Sequence, residues 1–220
     1  MALHFATDEE HRELLSGGRF VRDMRWEKSA EIPICVYPED YKGEPSIILA
    51  PSQHEGVCMT AAEQKRVTGQ WVSFLSGHKL PLCEVQTVTS IAQKVFDALC
   101  CQDSIESLRI KWLNCKDLSQ IVKLKKLKKL FIENGAKLED ISPLTSLERL
   151  EILILGSTVK ISDYSCLKAL KNLRVLAVCE CRNYPDSSHL KIDSLDFLYE
   201  MPNLEFVDLV DVKTSRNIIE

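Results

Sequence analysis

The feature that most constrains this chain is a spacing that recurs. From residue 105 onward an apolar residue is followed three positions later by another, and two positions after that by a third. The copies are Ile105-Leu108-Ile110, Leu127-Leu130-Ile132, Leu150-Leu153-Leu155, Leu173-Leu176-Val178 and Leu204-Val207-Leu209. A weaker copy, Leu82-Val85-Thr87, precedes them, and the starts are 23, 22, 23, 23 and 31 residues apart. The connecting stretches have a period of their own. Leu118-Ile121-Leu124, Ile141-Leu144-Leu147, Tyr164-Leu167-Leu170 and Leu195-Leu198-Met201 are apolar at every third position. Each is preceded by a residue able to cap a helical turn: Asp117, Asp140, Asp163 or Ser194.

The two periods predict two kinds of segment. Alternating apolar residues belong on the inner face of a short strand. A step of three suits a 3-10 or short helical turn that carries the chain back. One such unit cannot bury its apolar side alone, whereas stacked units make a continuous core with a parallel sheet on one face.

The segment LKKLKKLFIENGAKLEDISPLTSLERLEIL resembles the short bacterial-type leucine-rich repeats (LRRs) of internalins and of phosphatase-regulating LRR proteins. The resemblance covers about residues 82–212. It implies an α/β fold: a solenoid with the parallel sheet on its concave face and short helical or 3-10 turns on its convex face. The chain departs from the family where a ladder of asparagines usually follows the strands. Those positions hold Leu113, Gly135, Thr158, Cys181 and Val212, which predicts a weak buried polar ladder. The fold by itself assigns no activity.

Solenoid ends need caps. Thr60-Ala61-Ala62-Glu63 is a capping box, which predicts a helix with Val67, Trp71, Phe74 and Leu75 on one face, ending near Gly77. A second helix is expected from Ser90 to about Cys101, with Ile91, Val95 and Leu99 inward. Residues 1–57 carry no repeat and read as a small N-terminal α/β appendage. Within it, Thr7-Asp8-Glu9-Glu10 opens a short helix, and strand-like runs follow at Phe20–Trp26, Pro33–Tyr37 and Ser46–Ala50. The divisions expected are thus 1–57, a helical cap with a degenerate first repeat at 58–104, and repeats at 105–220. The 31-residue spacing marks an insertion of about eight residues near 180–194. The chain after Val212 reads as short, polar and fraying.

In a strand of this kind the residues between the inward apolar ones face the hollow of the sheet. The first copies present Glu84, Gln86, Val88, Ser107, Arg109 and Lys111. The middle copies present Lys129, Phe131, Glu133, Ile152, Ile154 and Gly156, and the last present Val175, Ala177, Cys179, Phe206, Asp208 and Val210. The first half is polar and the second apolar. An apolar patch on a sheet suggests an interface, unless the insertion or a second copy of the chain covers it. Arg182 and Tyr184, in the insertion, have the side chains of binding hot spots. A partner-binding set follows: Glu84, Gln86, Arg109, Lys111, Phe131, Glu133, Ile152, Ile154, Val175, Cys179, Arg182, Tyr184, Phe206 and Asp208. Charged substitutions at Phe131, Ile154 and Phe206 are then expected to abolish binding while the fold persists.

Signals for chemistry are sparse. The five histidines are far apart in sequence, and Cys179-x-Cys181 and Cys100-Cys101 have no second pair at matching spacing, so no metal or cofactor is expected. Ser16-Gly17-Gly18-Arg19 lacks the length and ending of a phosphate loop, and no catalytic residue stands out. A formal net charge of −4 argues against nucleic acid as a partner. The one dense basic run, Lys123 to Lys129, has inward-facing leucines between its lysines and reads as the solvated side of a repeat. Nine scattered cysteines, several at apolar positions, suit free thiols in a reducing, cytoplasmic setting. The start lacks a basic-then-apolar leader, and no apolar run approaches the roughly 18 residues that span a bilayer. The function expected is a non-enzymatic module that binds a protein partner, such as a stoichiometric inhibitor, an immunity protein that neutralises a toxin, or a regulatory subunit. The alternatives are an enzyme or effector with its active site in the N-terminal appendage, and a homodimer built through the apolar sheet.

Overall fold

The computed structural model describes residues 3–7, 9–10, 32–52, 58–179, 190–210 and 212–214. The repeats become parallel strands: β4 (Glu84–Ala92), β5 (Ser107–Asn114), β6 (Lys129–Ile132), β7 (Ile152–Gly156), β8 (Val175–Cys179) and β10 (Phe206–Val210). Their register is set by the leucines. Val85, Leu108, Leu130, Leu153, Leu176 and Val207 are direct partners across successive strands, and each is fully buried. An offset of one residue would turn this whole row toward the other face.

Between the strands lie four 3-10 turns: Ser119–Lys123, Ser142–Ser146, Ser165–Ala169 and Asp196–Glu200. The period of three in the sequence is the period of their backbone bonds. Ile121 N–H donates to Leu118, Leu124 to Ile121 and Leu127 to Leu124, and the next turns repeat the step from Ile141, Tyr164 and Leu195. The same residues that make these bonds therefore bury their side chains together. Asp117, Asp140 and Asp163 each accept from the backbone two residues on, at 2.7–2.8 Å, and Ser194 does so at 3.0 Å. These side-chain turns start each 3-10 segment.

The missing asparagine ladder has a backbone replacement. Leu113 N–H donates to Asn134 O, Gly135 to Gly156 and Ser157 to Cys179, at 2.8–2.9 Å. Leu113, Gly135 and Thr158 are buried at the ladder positions. Thr158 Oγ1 shares a 2.7 Å hydrogen bond with the Tyr164 hydroxyl. Burial pushes that phenol up to about 12.

At the N-terminal end, helix α1 (Ala61–Gly77) is capped by Thr60 and buries Val67, Trp71 and Leu75. Trp71 Nε1 donates to Val36 O at 2.7 Å. Gln102, fully buried, ties down the other end of α1: its amide donates to Leu75 O and His78 O and accepts from Leu80 N. The second helix is shorter than its sequence suggests. It is α2 (Gln93–Leu99), because Ser90–Ala92 remain in β4 and pair with Trp112–Asn114 beyond a bulge. Ile91, Val95 and Leu99 point inward as expected.

Two further strands, β2 (Ile34–Cys35) and β3 (Ser46–Leu49), fall in the runs read from sequence and join the same sheet on the β4 side. β1 (His4–Phe5) joins it at the opposite edge, beside β10, giving the order β1-β10-β8-β7-β6-β5-β4-β3-β2. Residues of the first 57 thus form both edges of the repeat sheet. Thr7 and Glu10 make the expected reciprocal cap. The run Phe20–Trp26 lies outside the described residues. The chain after the last repeat does not simply fray: β11 (Val212–Thr214) pairs in parallel with β9 (Leu190–Ile192), the described end of the insertion. Leu190 and Ile192 are buried, which anchors that pair on the core.

Two glycines should respond oppositely to alanine. A Cβ on Gly156 would lie 2.0 Å from the Glu133 carbonyl oxygen of the adjoining strand, whereas one on Gly69, inside α1, meets nothing within 4 Å. Gly156→Ala is expected to lower stability in urea denaturation by more than about 2 kcal/mol. Gly69→Ala should raise it by about 0.5–1 kcal/mol.

Candidate protein-binding face

The parallel register places the outward residues in rows across the hollow. One row runs Ile48, Gln86, Arg109, Phe131, Ile154, Ala177 and Asp208. The row beside it runs Glu84, Ser107, Lys129, Ile152, Val175, Phe206 and His4. Polar side chains thus lie over β4 and β5 and apolar ones over β7, β8 and β10, as their order in the sequence implies.

The two halves differ sharply in exposure. Glu84, Gln86, Ser107, Arg109, Lys111 and Glu133 are half-buried and reach solvent. Phe131, Ile152, Ile154, Val175, Ala177 and Phe206 form a second apolar cluster, separate from the main core, and none is more than 8 % exposed. Cys179 and Asp208 are buried beside them. Ala6 packs against this cluster, and the His4 ring lies 5.5 Å from that of Phe206. The burial is complete within one chain, so no second copy is needed to produce it. Phe131, Ile152, Ile154, Val175, Cys179, Phe206 and Asp208 therefore offer little area to a partner in this state. Arg182 and Tyr184 lie outside the described residues.

The polar half is ordered by its own contacts. The Arg109 guanidinium donates to the Glu133 carboxylate, with Nε at 2.7 Å, and sits 4.8 Å from the centre of the Phe131 ring. Gln86 donates to Glu84 at 2.9 Å. The residue that sequence inspection passed over is Trp112. It is 43 % exposed, and the Lys111 ammonium stands 4.7 Å over its ring. The residues read as facing the hollow stop at Lys111, whereas β5 continues to Asn114. The signal was a tryptophan directly after the last alternating residue.

Among the described residues, clefts also lie elsewhere, two of which stand out by their charged walls. One of about 520 Å³ runs along the starts of the strands and is lined by Lys128, Arg149, Glu151, Asn172, Arg174 and Glu205, among others. Arg174 holds Glu205 through two 3.0 Å bonds and Lys128 holds Glu106 at 2.8 Å, so opposite charges already alternate there. The other, about 700 Å³ and open, lies between Pro38–Glu39 and α1, with Arg66, Phe74 and His78 on its walls. Among the described residues, no three His, Cys, Asp or Glu side chains converge as metal ligands would, and no helix is long and apolar enough to cross a membrane.

The described cysteines are free thiols. Burial pushes Cys35 up to about 11 and Cys115 up to about 12, and raises Cys100 as well. These thiols stay protonated and unreactive at neutral pH. An aromatic disulfide reagent should therefore modify Cys58 and Cys83, which are exposed, in the native protein. It should reach Cys35, Cys100, Cys115 and Cys179 only on unfolding, and equal reactivity of all sites would contradict this burial. Burial also changes what charge does in the hollow. Ile154→Asp places a carboxylate at a fully buried position and is expected to cost about 3 kcal/mol or more in denaturant unfolding. Loss of binding in such a variant would report lost structure.

Comparison with known proteins agrees with this architecture. Residues 76–158 match the family model described as R13L1/DRL21 LRRs. Among solved structures, the fold is similar to an internalin (inlF) from Listeria monocytogenes, with a TM-score of 0.51, 18 % identity, and coverage of 77 % of this chain and 43 % of that one. An internalin C2 (inlC2) from the same organism aligns at a TM-score of 0.41 and 22 % identity, over 62 % of this chain and 65 % of that one. This chain thus spans less than half of the first and just under two thirds of the second. No curated protein matches it. The repeats of this chain are leucine-rich repeats, and it folds as a leucine-rich repeat solenoid.

Proposed function

We propose that this chain is a non-enzymatic protein-binding module whose docking face is the polar half of the hollow, from Glu84 and Gln86 through Arg109 and Lys111, with Trp112 beside Lys111. One observation carries the reading. Trp112 keeps 43 % of its surface in solvent, one of four exposed large apolar side chains among the described residues, with Ile34, Val159 and Tyr199, and the one on a repeat strand. Tryptophan and arginine dominate binding energy where interfaces are mapped, and here the Lys111 ammonium stands over the Trp112 ring, three residues along β5 from Arg109. The surface is held by parallel strands on a packed core, so ordering it on binding costs little. That preorganisation suits a stoichiometric inhibitor, an immunity protein or a regulatory subunit. Free thiols, half of those described being buried, suit a reducing compartment such as the cytoplasm.

The test is affinity capture from native lysate with mass spectrometry, followed by binding measurements with variants. Trp112→Ala is expected to weaken the captured complex by at least about 2 kcal/mol, roughly thirtyfold, and Lys111→Glu to add to the loss. The circular dichroism spectrum should not change, because both side chains lie outside the core. Undiminished affinity in the double variant would remove this face from consideration.

A further inference from the structure

A second surface lies on the convex flank, where the cap helices meet the first regular turn. Lys79 follows α1, and its ammonium donates to Cys101 O at 2.7 Å and to Asp103 Oδ2 at 3.0 Å. Lys123, at the end of the 3-10 turn Ser119–Lys123, places its ammonium 3.9 Å from Cys101 Sγ. Lys126, exposed, acts on Asp103 as well, and Lys125 donates to Ser146 O at 3.4 Å. Two segments more than forty residues apart in sequence thus direct their lysines at the turn Cys101–Asp103. Three lysines, Lys79, Lys123 and Lys126, gather there around Asp103, on a chain whose formal net charge is −4.

The cluster already shows what it favours. Asp103 reaches into it, and the hydrogen bond from Lys79, with the charge of Lys126 beyond, holds its carboxyl below the ordinary range. Leu124 and Leu127, between the lysines, are fully buried. No aromatic ring is interleaved in the run Lys123–Lys129 for bases to stack on, as single-stranded nucleic acid would require. Ammonium groups in water are point charges that accept carboxylates without a fixed fork.

We infer that Lys79, Lys123 and Lys126 form a docking surface for an acidic protein segment, whose carboxylates would join Asp103 among these ammonium groups. This surface is distinct from the hollow and stands whether or not Trp112 anchors a partner. Acidic residues flanking a main contact would be steered to it, and the attraction would fall with salt.

The experiment is fluorescence anisotropy with the full chain and two labelled probes: a 20-residue Asp/Glu peptide and a 20-nucleotide single strand, each at low and at physiological salt. The peptide should bind at low salt and weaken on adding salt. The variant K79E/K123E/K126E should bind it about tenfold more weakly or worse. Trp112→Ala should leave that affinity unchanged, which separates this surface from the hollow. Circular dichroism and urea midpoints of the triple variant should match the parent, since all three side chains are exposed. Should those midpoints fall, neutralisation by K123Q/K126Q, away from the Lys79–Asp103 pair, reads the same affinity in a folded chain. Absence of peptide binding, equal binding by the folded variants, or tighter binding of the oligonucleotide than of the peptide would each overturn the proposal.

Discussion

Everything in this protein depends on side chains of one repeat finding those of the next. Leu108, Leu130, Leu153 and Leu176 stand shoulder to shoulder across parallel strands, with Val85 and Val207 at the ends of the row. None of these units could bury its leucine without its neighbour, so the array is stable only as a stack. The 3-10 turns obey the same demand. Their i-to-i−3 bonds bring every third side chain to one side, and that side is the core. Register, turn type and burial are therefore one constraint seen three times.

Stacking also settles the polar groups. Many leucine-rich repeats use a buried asparagine ladder after the strand, and this chain has leucine, glycine and threonine there. The turns are joined by backbone bonds from Leu113, Gly135 and Ser157, while Thr158 and Tyr164 satisfy each other inside. A buried donor needs a partner, though the partner need not be a side chain. At the starts of the strands the charges alternate as Glu106, Lys128, Glu151, Arg174 and Glu205, and successive backbone bonds link the same positions. Exposed pairs of this kind contribute little to stability, but they leave that flank electrically balanced. The convex flank around Asp103 has no such balance, and the contrast singles it out.

The hollow of the sheet is divided. Over β4 and β5 its side chains reach solvent and hold one another in place, as Arg109 does with Glu133 and Phe131. Over β7, β8 and β10 they are as buried as core residues, although they face away from the core. Both edges of the sheet are formed by residues from the first 57, with β1 beside β10 and β2 beside β3. A segment without any repeat thus belongs to the repeat sheet, and the side chains of the hollow that reach solvent are the polar ones over β4 and β5.

The sequence by itself determined the repeat, the inward leucines, the capping aspartates, the capped helix α1 and the alternation of polar and apolar residues along the hollow. These are local or periodic properties, written into spacing and residue type. Tertiary structure decided what no spacing records. It extended β4 to Ala92 and β5 to Asn114 by pairing them, and it left Trp112 exposed. It seated His4–Phe5 beside a strand two hundred residues away, and it buried Ile154 and Phe206 on a face that alternation alone assigns to solvent. The physical reason is that periodicity fixes which way a side chain points, whereas exposure depends on which distant segment comes to lie against it.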